Sequence, residues 1–160
     1  MVFDVDGVLT NGQLFFATDG SELKAFNILD GQGIKMLQKS GIQTALITGR
    51  TSSIVAKRAK DLGIEHLYQG REDKLVALKE LLKNTGISME ATAYTGDDLP
   101  DLAAIRAAGL GFTVANAHPF VAKHADWQTQ LAGGAGAVRE ICDFILEAQG
   151  QLDSLHENYL

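Results

Sequence analysis

Five aspartates, two threonines and two cationic side chains of this 160-residue chain fall in four short stretches. They are Asp4-Val5-Asp6-Gly7-Val8-Leu9-Thr10, Thr48-Gly49-Arg50, the lone Lys74, and Gly96-Asp97-Asp98-Leu99-Pro100-Asp101. Aspartate is a poor strand residue, and several carboxylates brought together repel one another. A divalent cation removes that conflict. Magnesium takes oxygen ligands in near-octahedral geometry and commonly uses one or two carboxylates plus substrate phosphate. Asp4 and Asp97 are the best direct carboxylate ligands. Asp6 is a candidate ligand through its backbone carbonyl, which leaves its side chain free. Asp98 and Asp101 fit better as supports that orient ligands or loops, or as caps of the helix that follows.

Each stretch sits just beyond an apolar run or at a helix start. Strand-like runs cover residues 1–5, 43–47, 65–68, 92–95 and 111–114, and helical spacing covers 33–39, 52–62, 74–83, 99–107 and 137–148. Short apolar strands separated by helices predict a parallel sheet covered on both faces, an α/β doubly wound three-layer fold. Ligands bind such sheets beyond the carboxyl ends of the strands, so the four stretches are expected on one edge. One segment breaks the alternation. Residues 13–17 and 23–27 flank Thr18-Asp19-Gly20-Ser21, and Asp-Gly is a strong hairpin signal. A lone hairpin is marginally stable, and this one carries Leu14, Phe15, Phe16, Leu23 and Phe26. It either folds onto its own domain or pairs with other subunits.

Hydrophobic residues make up 46% and charged residues 21% of the chain, an ordinary globular balance. Residues 1–148 are expected to form a single domain with 12–28 as its hairpin flap, and 149–160 as a tail that is frayed or docked. The net charge of −6 argues against duplex nucleic acid as a partner, and an anionic small substrate then needs local cations or a metal. No apolar run approaches the ~18 residues that span a bilayer, so no membrane partner is expected. No secretory signal is visible, and Cys142, the single cysteine, reads as a buried helical thiol, so the cytoplasm is the default compartment. Met1 lies so close to Asp4 that a short leader upstream remains an open expectation.

The four stretches, in this order and across nearly the whole chain, resemble the motifs of the haloacid dehalogenase-like phosphatases. The resemblance implies magnesium-dependent hydrolysis of a phosphomonoester through an aspartyl-phosphate. Asp4 is then the nucleophile, and Asp6 the acid that protonates the leaving oxygen and later activates water. Thr48 and Lys74 donate to the phosphoryl oxygens. Further stretches sharpen it: Lys24-Ala25-Phe26-Asn27, Asp30-Gly31-Gln32-Gly33-Ile34, Ala117-His118-Pro119 and Gly133-Gly134-Ala135-Gly136-Ala137-Val138-Arg139-Glu140. These are similar to the small members that act on a sugar-acid phosphate in lipopolysaccharide precursor synthesis and form homotetramers through the hairpin. The implied partner is a small anionic sugar phosphate. Asn27, Asp30, Gly31, Lys35, Arg50 and Arg58, with Asp6 and Lys74, are its implied contacts.

Two other functions compete. The 9-phosphate of a nonulosonic acid would use the same four motifs. A non-catalytic phospho-acceptor domain would also bring acids, Thr and Lys together, but it has no need of Asp6. Arg71 is a weaker substrate candidate, and Arg139 either reaches across a subunit contact or caps a helix. His118 reads as a loop hydrogen-bonding group. Gly133 to Gly136 lacks the following Lys-Ser/Thr of a P-loop, and Trp127 reads as packed.

Overall fold

The structure, a computed structural model, describes residues 1–160. Six parallel strands form one sheet in the order β5-β4-β1-β6-β7-β8, where β1 is Val2–Phe3, β4 Ala45–Ile47, β5 His66–Tyr68, β6 Ala93–Thr95, β7 Leu110–Thr113 and β8 Trp127–Gln128. The expected doubly wound α/β fold is therefore present, with one strand more than the apolar runs predict. Because side chains alternate across a strand, Phe3 and Leu46 enter one core while Val2, Ala45 and Ile47 enter the other. Helices α1 (Ile28–Lys39), α2 (Ser53–Leu62) and α6 (Ala137–Ala148) cover the first face through Ile34, Leu37, Val55, Leu62, Val138, Cys142 and Leu146. Helices α3 (Lys74–Thr85), α4 (Leu99–Ala107) and the single turn α5 (Pro119–Ala122) cover the second, through Ala77, Leu78, Leu81, Ala104, Ile105 and Val121.

Helix starts carry their own signals. Asn27 caps α1 by accepting from Leu29 N at 2.8 Å, so this helix begins earlier than residue 33. Asp98 and Asp101 form a capping box at α4 with Pro100 in its first turn, the arrangement that satisfies orphan N–H groups reciprocally. The expected hairpin is β2 (Phe15–Phe16) and β3 (Glu22–Leu23), antiparallel, with Asp19 accepting from Ser21 N at 2.9 Å in the turn. Phe16 and Leu23 are 63% and 62% exposed. The tail docks: α7 (Leu152–Glu157) packs Leu152 and Leu155 against the first core, and Gln32 donates to the Tyr159 hydroxyl at 2.5 Å. No helix is long and apolar enough to cross a membrane.

Candidate active site

The carboxyl ends of β1, β4 and β6 and the start of α3 meet at an open cleft of about 540 Å³, lined by no hydrophobic side chain. Asp4, Asp6, Thr48, Arg50, Lys74, Asp97, Asp98 and Asp101 all border it, joined by Glu72. A smaller cavity of about 240 Å³ among Met1, Ile42, His66 and Leu82 lies at the amino ends of the strands, with no carboxylate, lysine or arginine in its wall.

Asp4 follows β1 directly, its N–H bonded to Thr95 O at 2.9 Å, and is 3% exposed. The loop after it turns sharply back. Thr10 Oγ1 accepts from Gly7 N and Gly12 N, both at 3.3 Å, and the Val5 carbonyl accepts from Thr10 N at 3.0 Å. Gly7 has φ +109°, and a Cβ there would lie 2.1 Å from Asp97 Oδ2, so this glycine is what lets the first and last motifs touch. Gly133 presses on the same loop, where a Cβ would lie 1.7 Å from Gly7 O. The glycine-rich stretch is thus a wall behind the loop that follows Asp4. Its N–H groups at Gly133, Gly134 and Ala135 donate to Asn116 Oδ1, Val8 O and Ala132 O.

Lys74 occupies the first position of α3 and is 6% exposed. Its ammonium donates to Asp4 Oδ1 and, at 2.8 Å, to Asp101 Oδ1. Tyr94 also donates to Asp101 Oδ1 at 2.8 Å, and Asp101 Oδ2 accepts from the N–H groups of Asp97 and Asp98 at 3.3 and 3.4 Å. Asp101 therefore spends both oxygens on holding Lys74 and the Asp97-Asp98 turn. Asp98 acts as the cap of α4. Thr48 is buried at the end of β4, with its hydroxyl accepting from Arg50 N at 3.4 Å. His118 bonds the same site from outside: its N–H donates to Asp97 O at 2.8 Å and its Nδ1 accepts from Phe120 N, the loop role expected of it.

The carboxylate oxygens of Asp4, Asp97 and Asp101 lie within 4.8 Å of one another. Burial, then the Asp101 charge, pushes Asp4 well above the carboxylate range against the pull of Lys74. Burial, then Asp101 again, pushes Asp97 up to about 7. Burial alone would lower Lys74, but the charges of Asp4 and Asp101 outweigh it and raise it. One lysine does not balance three acids. With Asp101 already bonded, Asp4 and Asp97 keep side-chain oxygens for a hard cation, a donor set that fits magnesium.

The implied sugar contacts divide. Arg50 stands at the cleft and donates to Glu22 Oε1 of the hairpin at 2.9 Å. Asn27, Asp30, Gly31, Lys35 and Arg58 do not line the cleft. Asp30 departs most from expectation: it is 1% exposed and its Oδ1 accepts from Arg139 N at 2.9 Å, capping α6 from across the helix pair. Gly31 makes room for Arg58, whose Nη2 would lie 2.5 Å from a Cβ there and donates to Asn27 O at 3.1 Å. Lys35 is exposed on α1. Arg139 pairs with Asp143 one helical turn on, and Arg71 clamps Asp73 and Glu80 beside Lys74.

Three residues at or under the cleft, Glu22, Glu72 and Tyr94, were not singled out by composition or motif order, and Lys24 stood in a family-like stretch without a role. The hairpin offered a signal, because Glu22 and Lys24 alternate with exposed Leu23 and so must face the other side. Lys24 donates to Asp6 Oδ1, and its side chain is 1% exposed.

A capless α/β sheet with this acid, lysine and threonine set at its carboxyl edge defines a haloacid dehalogenase-like hydrolase, and residues 66–141 match the model of that family. The chain is 49% identical over 153 residues to 3-deoxy-D-manno-octulosonate 8-phosphate phosphatase KdsC of Escherichia coli K12, covering 96% of this chain and 81% of that one. A solved structure from Moraxella catarrhalis, the 3-deoxy-D-manno-octulosonate 8-phosphate phosphatase in complex with a magnesium ion, a phosphate ion and a KDO molecule, superposes with a TM-score of 0.98 at 47% identity, over 99% of this chain and 91% of that one. A probable YrbI family phosphatase of Pseudomonas syringae gives 0.97 at 61% identity, over 99% and 90%. The chain belongs to the haloacid dehalogenase-like family, in its 3-deoxy-D-manno-octulosonate 8-phosphate phosphatase branch.

Proposed function

We propose that this chain hydrolyses 3-deoxy-D-manno-octulosonate 8-phosphate to KDO and inorganic phosphate, in the cytoplasm, as a step in lipopolysaccharide precursor synthesis. The observation that carries the reading is the buried Asp4 carboxylate, gripped by Lys74 and facing Asp97, at the floor of a cleft with no hydrophobic lining. In the first half-reaction an Asp4 oxygen attacks phosphorus while the bond to the sugar oxygen breaks, and Asp6 gives that oxygen a proton. In the second, Asp6 takes a proton from the attacking water and the Asp4–phosphorus bond breaks, releasing phosphate. Lys74 and Thr48 donate to the phosphoryl oxygens, where charge builds in the transition state.

Asp4 and Asp97, with the Asp6 carbonyl, would hold magnesium. The ion, when bound, supplies positive charge that lessens the repulsion between the carboxylate and the phosphate. Arg50 is the contact for the sugar's carboxylate end. Asn27, Gly31, Lys35 and Arg58 lie outside the cleft of their own subunit, and we assign them to substrate recognition across a homotetramer built on the exposed apolar hairpin. We take residues 1–148 as the catalytic domain.

Phosphate release from 3-deoxy-D-manno-octulosonate 8-phosphate with magnesium tests the reading, with a nonulosonic acid 9-phosphate in parallel. Turnover of the first in preference to the second is expected. Asp4→Asn should reduce it by several orders of magnitude without unfolding the domain. Preference for the second substrate would reassign the sugar, and full activity of Asp4→Asn would remove the nucleophile.

A further inference from the structure

Lys24 is a buried ammonium that springs from an exposed hairpin. A charge so placed costs several kcal/mol unless it is paired and hydrogen-bonded. Its partners are Asp6 Oδ1 and, at 3.6 Å, Glu22 Oε1, and Glu22 Oε1 also accepts from Arg50 Nη2 at 2.9 Å. The second oxygen of Asp6, Oδ2, is buried and has no partner. One carboxylate oxygen is thus anchored and the other is left free beside the cleft.

From this asymmetry we infer that Lys24 is a positioning residue for the reaction. By holding Asp6 Oδ1 it fixes the carboxyl plane so that Oδ2 is the oxygen that exchanges protons with substrate and water. Through Glu22 it ties Arg50 into the same frame, so the acid and the sugar-binding arginine keep a set spacing. The inference rests on Asp6 being the proton donor. In the first step the phosphorus–sugar oxygen bond breaks, the phosphorus–Asp4 bond forms, and the proton on Oδ2 passes to the sugar oxygen. In the second, water gives a proton back to Oδ2 as its oxygen bonds to phosphorus and Asp4 departs. The cycle closes with Asp6 protonated again. Lys24 bonds the same oxygen throughout and exchanges nothing. Its single charge is shared between Asp6 and Glu22, which keeps the pair from locking into one closed contact.

The test uses leaving groups. A sugar alkoxide needs a proton to depart, whereas para-nitrophenolate leaves without one. A well-placed general acid contributes about 100-fold or more. Lys24→Gln should therefore lose about tenfold more kcat on the sugar phosphate than on para-nitrophenyl phosphate, with Lys24→Arg recovering part of the difference. Equal losses of kcat on both substrates, none, or a loss confined to KM of the sugar phosphate would overturn the inference, because a lysine that only supports Arg50 weakens sugar binding and leaves proton transfer alone. Asp6→Asn is measured beside it. If Asp6→Asn shows no leaving-group bias, the proton donor itself is misassigned. If it shows the bias and Lys24→Gln does not, only Lys24 is. Should Lys24→Gln fail to fold, Lys24→Arg is read alone: it keeps the charge but changes the reach to Asp6 Oδ1, and an unchanged ratio of the two substrates there also overturns the inference.

Discussion

Asp30 and Asp101 look alike in the sequence, each an acid at or near a helix start, and they end up in different trades. Asp101 is consumed by the site: Lys74, Tyr94 and two backbone N–H groups leave it no free oxygen. Asp30 serves the fold, capping α6 from the neighbouring helix. Burial raises the Asp30 carboxyl above 3.8, against N–H groups of Arg139, Gly136 and Val138 and the charge of Arg58. The folded chain then keeps this proton to a higher pH than the unfolded chain does, so stability falls as pH climbs from the ordinary value through the raised one. Asp30→Asn retains an acceptor and does not titrate. Its stability relative to the parent should rise over that pH span in urea unfolding, and a difference independent of pH would clear Asp30 of the effect. What makes the acids of the cleft legible is their unsuitability: Asp4 and Asp97 interrupt apolar runs where nothing structural asks for them. Asp30 was read as a substrate contact because a cap contributed from another helix leaves no mark on the sequence around it. Lys24 was hidden for a related reason, since its partner Asp6 is 18 residues away.

At the level of elements, the hairpin is the part that a single domain does not explain. Leu14, Phe15, Phe16 and Leu23 stay exposed, with Ile28 and Leu29 adjoining at the start of α1. Burying a phenylalanine or leucine is worth about 2 kcal/mol each, so a symmetric assembly recovers that for every copy. Replacing Phe16 and Leu23 by serine should lower the mass found by sedimentation while the circular dichroism of the helices persists. A parent protein already monomeric at micromolar concentration would refute assembly through this face. The strands β1, β4, β5, β6 and β7 were readable as short apolar runs, and α1, α2, α3, α4 and α6 by their helical period. The elements β8, α5 and α7 were not. Trp127–Gln128 is too short to display a period, the α5 turn is set by Pro119 and the His118 cap, and Leu152 and Leu155 commit α7 through contacts with a core that lies distant in the chain.

For the molecule as a whole, the acids that make the site reactive also burden the fold. Asp4 and Asp97 are held together in a buried place with one lysine between three carboxylates. A cation bound only by the folded state stabilises it by mass action, about 2.7 kcal/mol at 100 times its dissociation constant. Chelation by EDTA should lower the thermal midpoint, and magnesium should restore it where sodium at equal ionic strength does not. A midpoint indifferent to magnesium would mean that the acids hold no ion in the resting protein. The seating of Gly133 on the Gly7 carbonyl reaches further than packing. The backbone that backs the loop after Asp4 is made more than a hundred residues later than the loop itself. During synthesis the loop that carries Asp4 therefore waits for a distant stretch of the chain before it has the backing that shapes it.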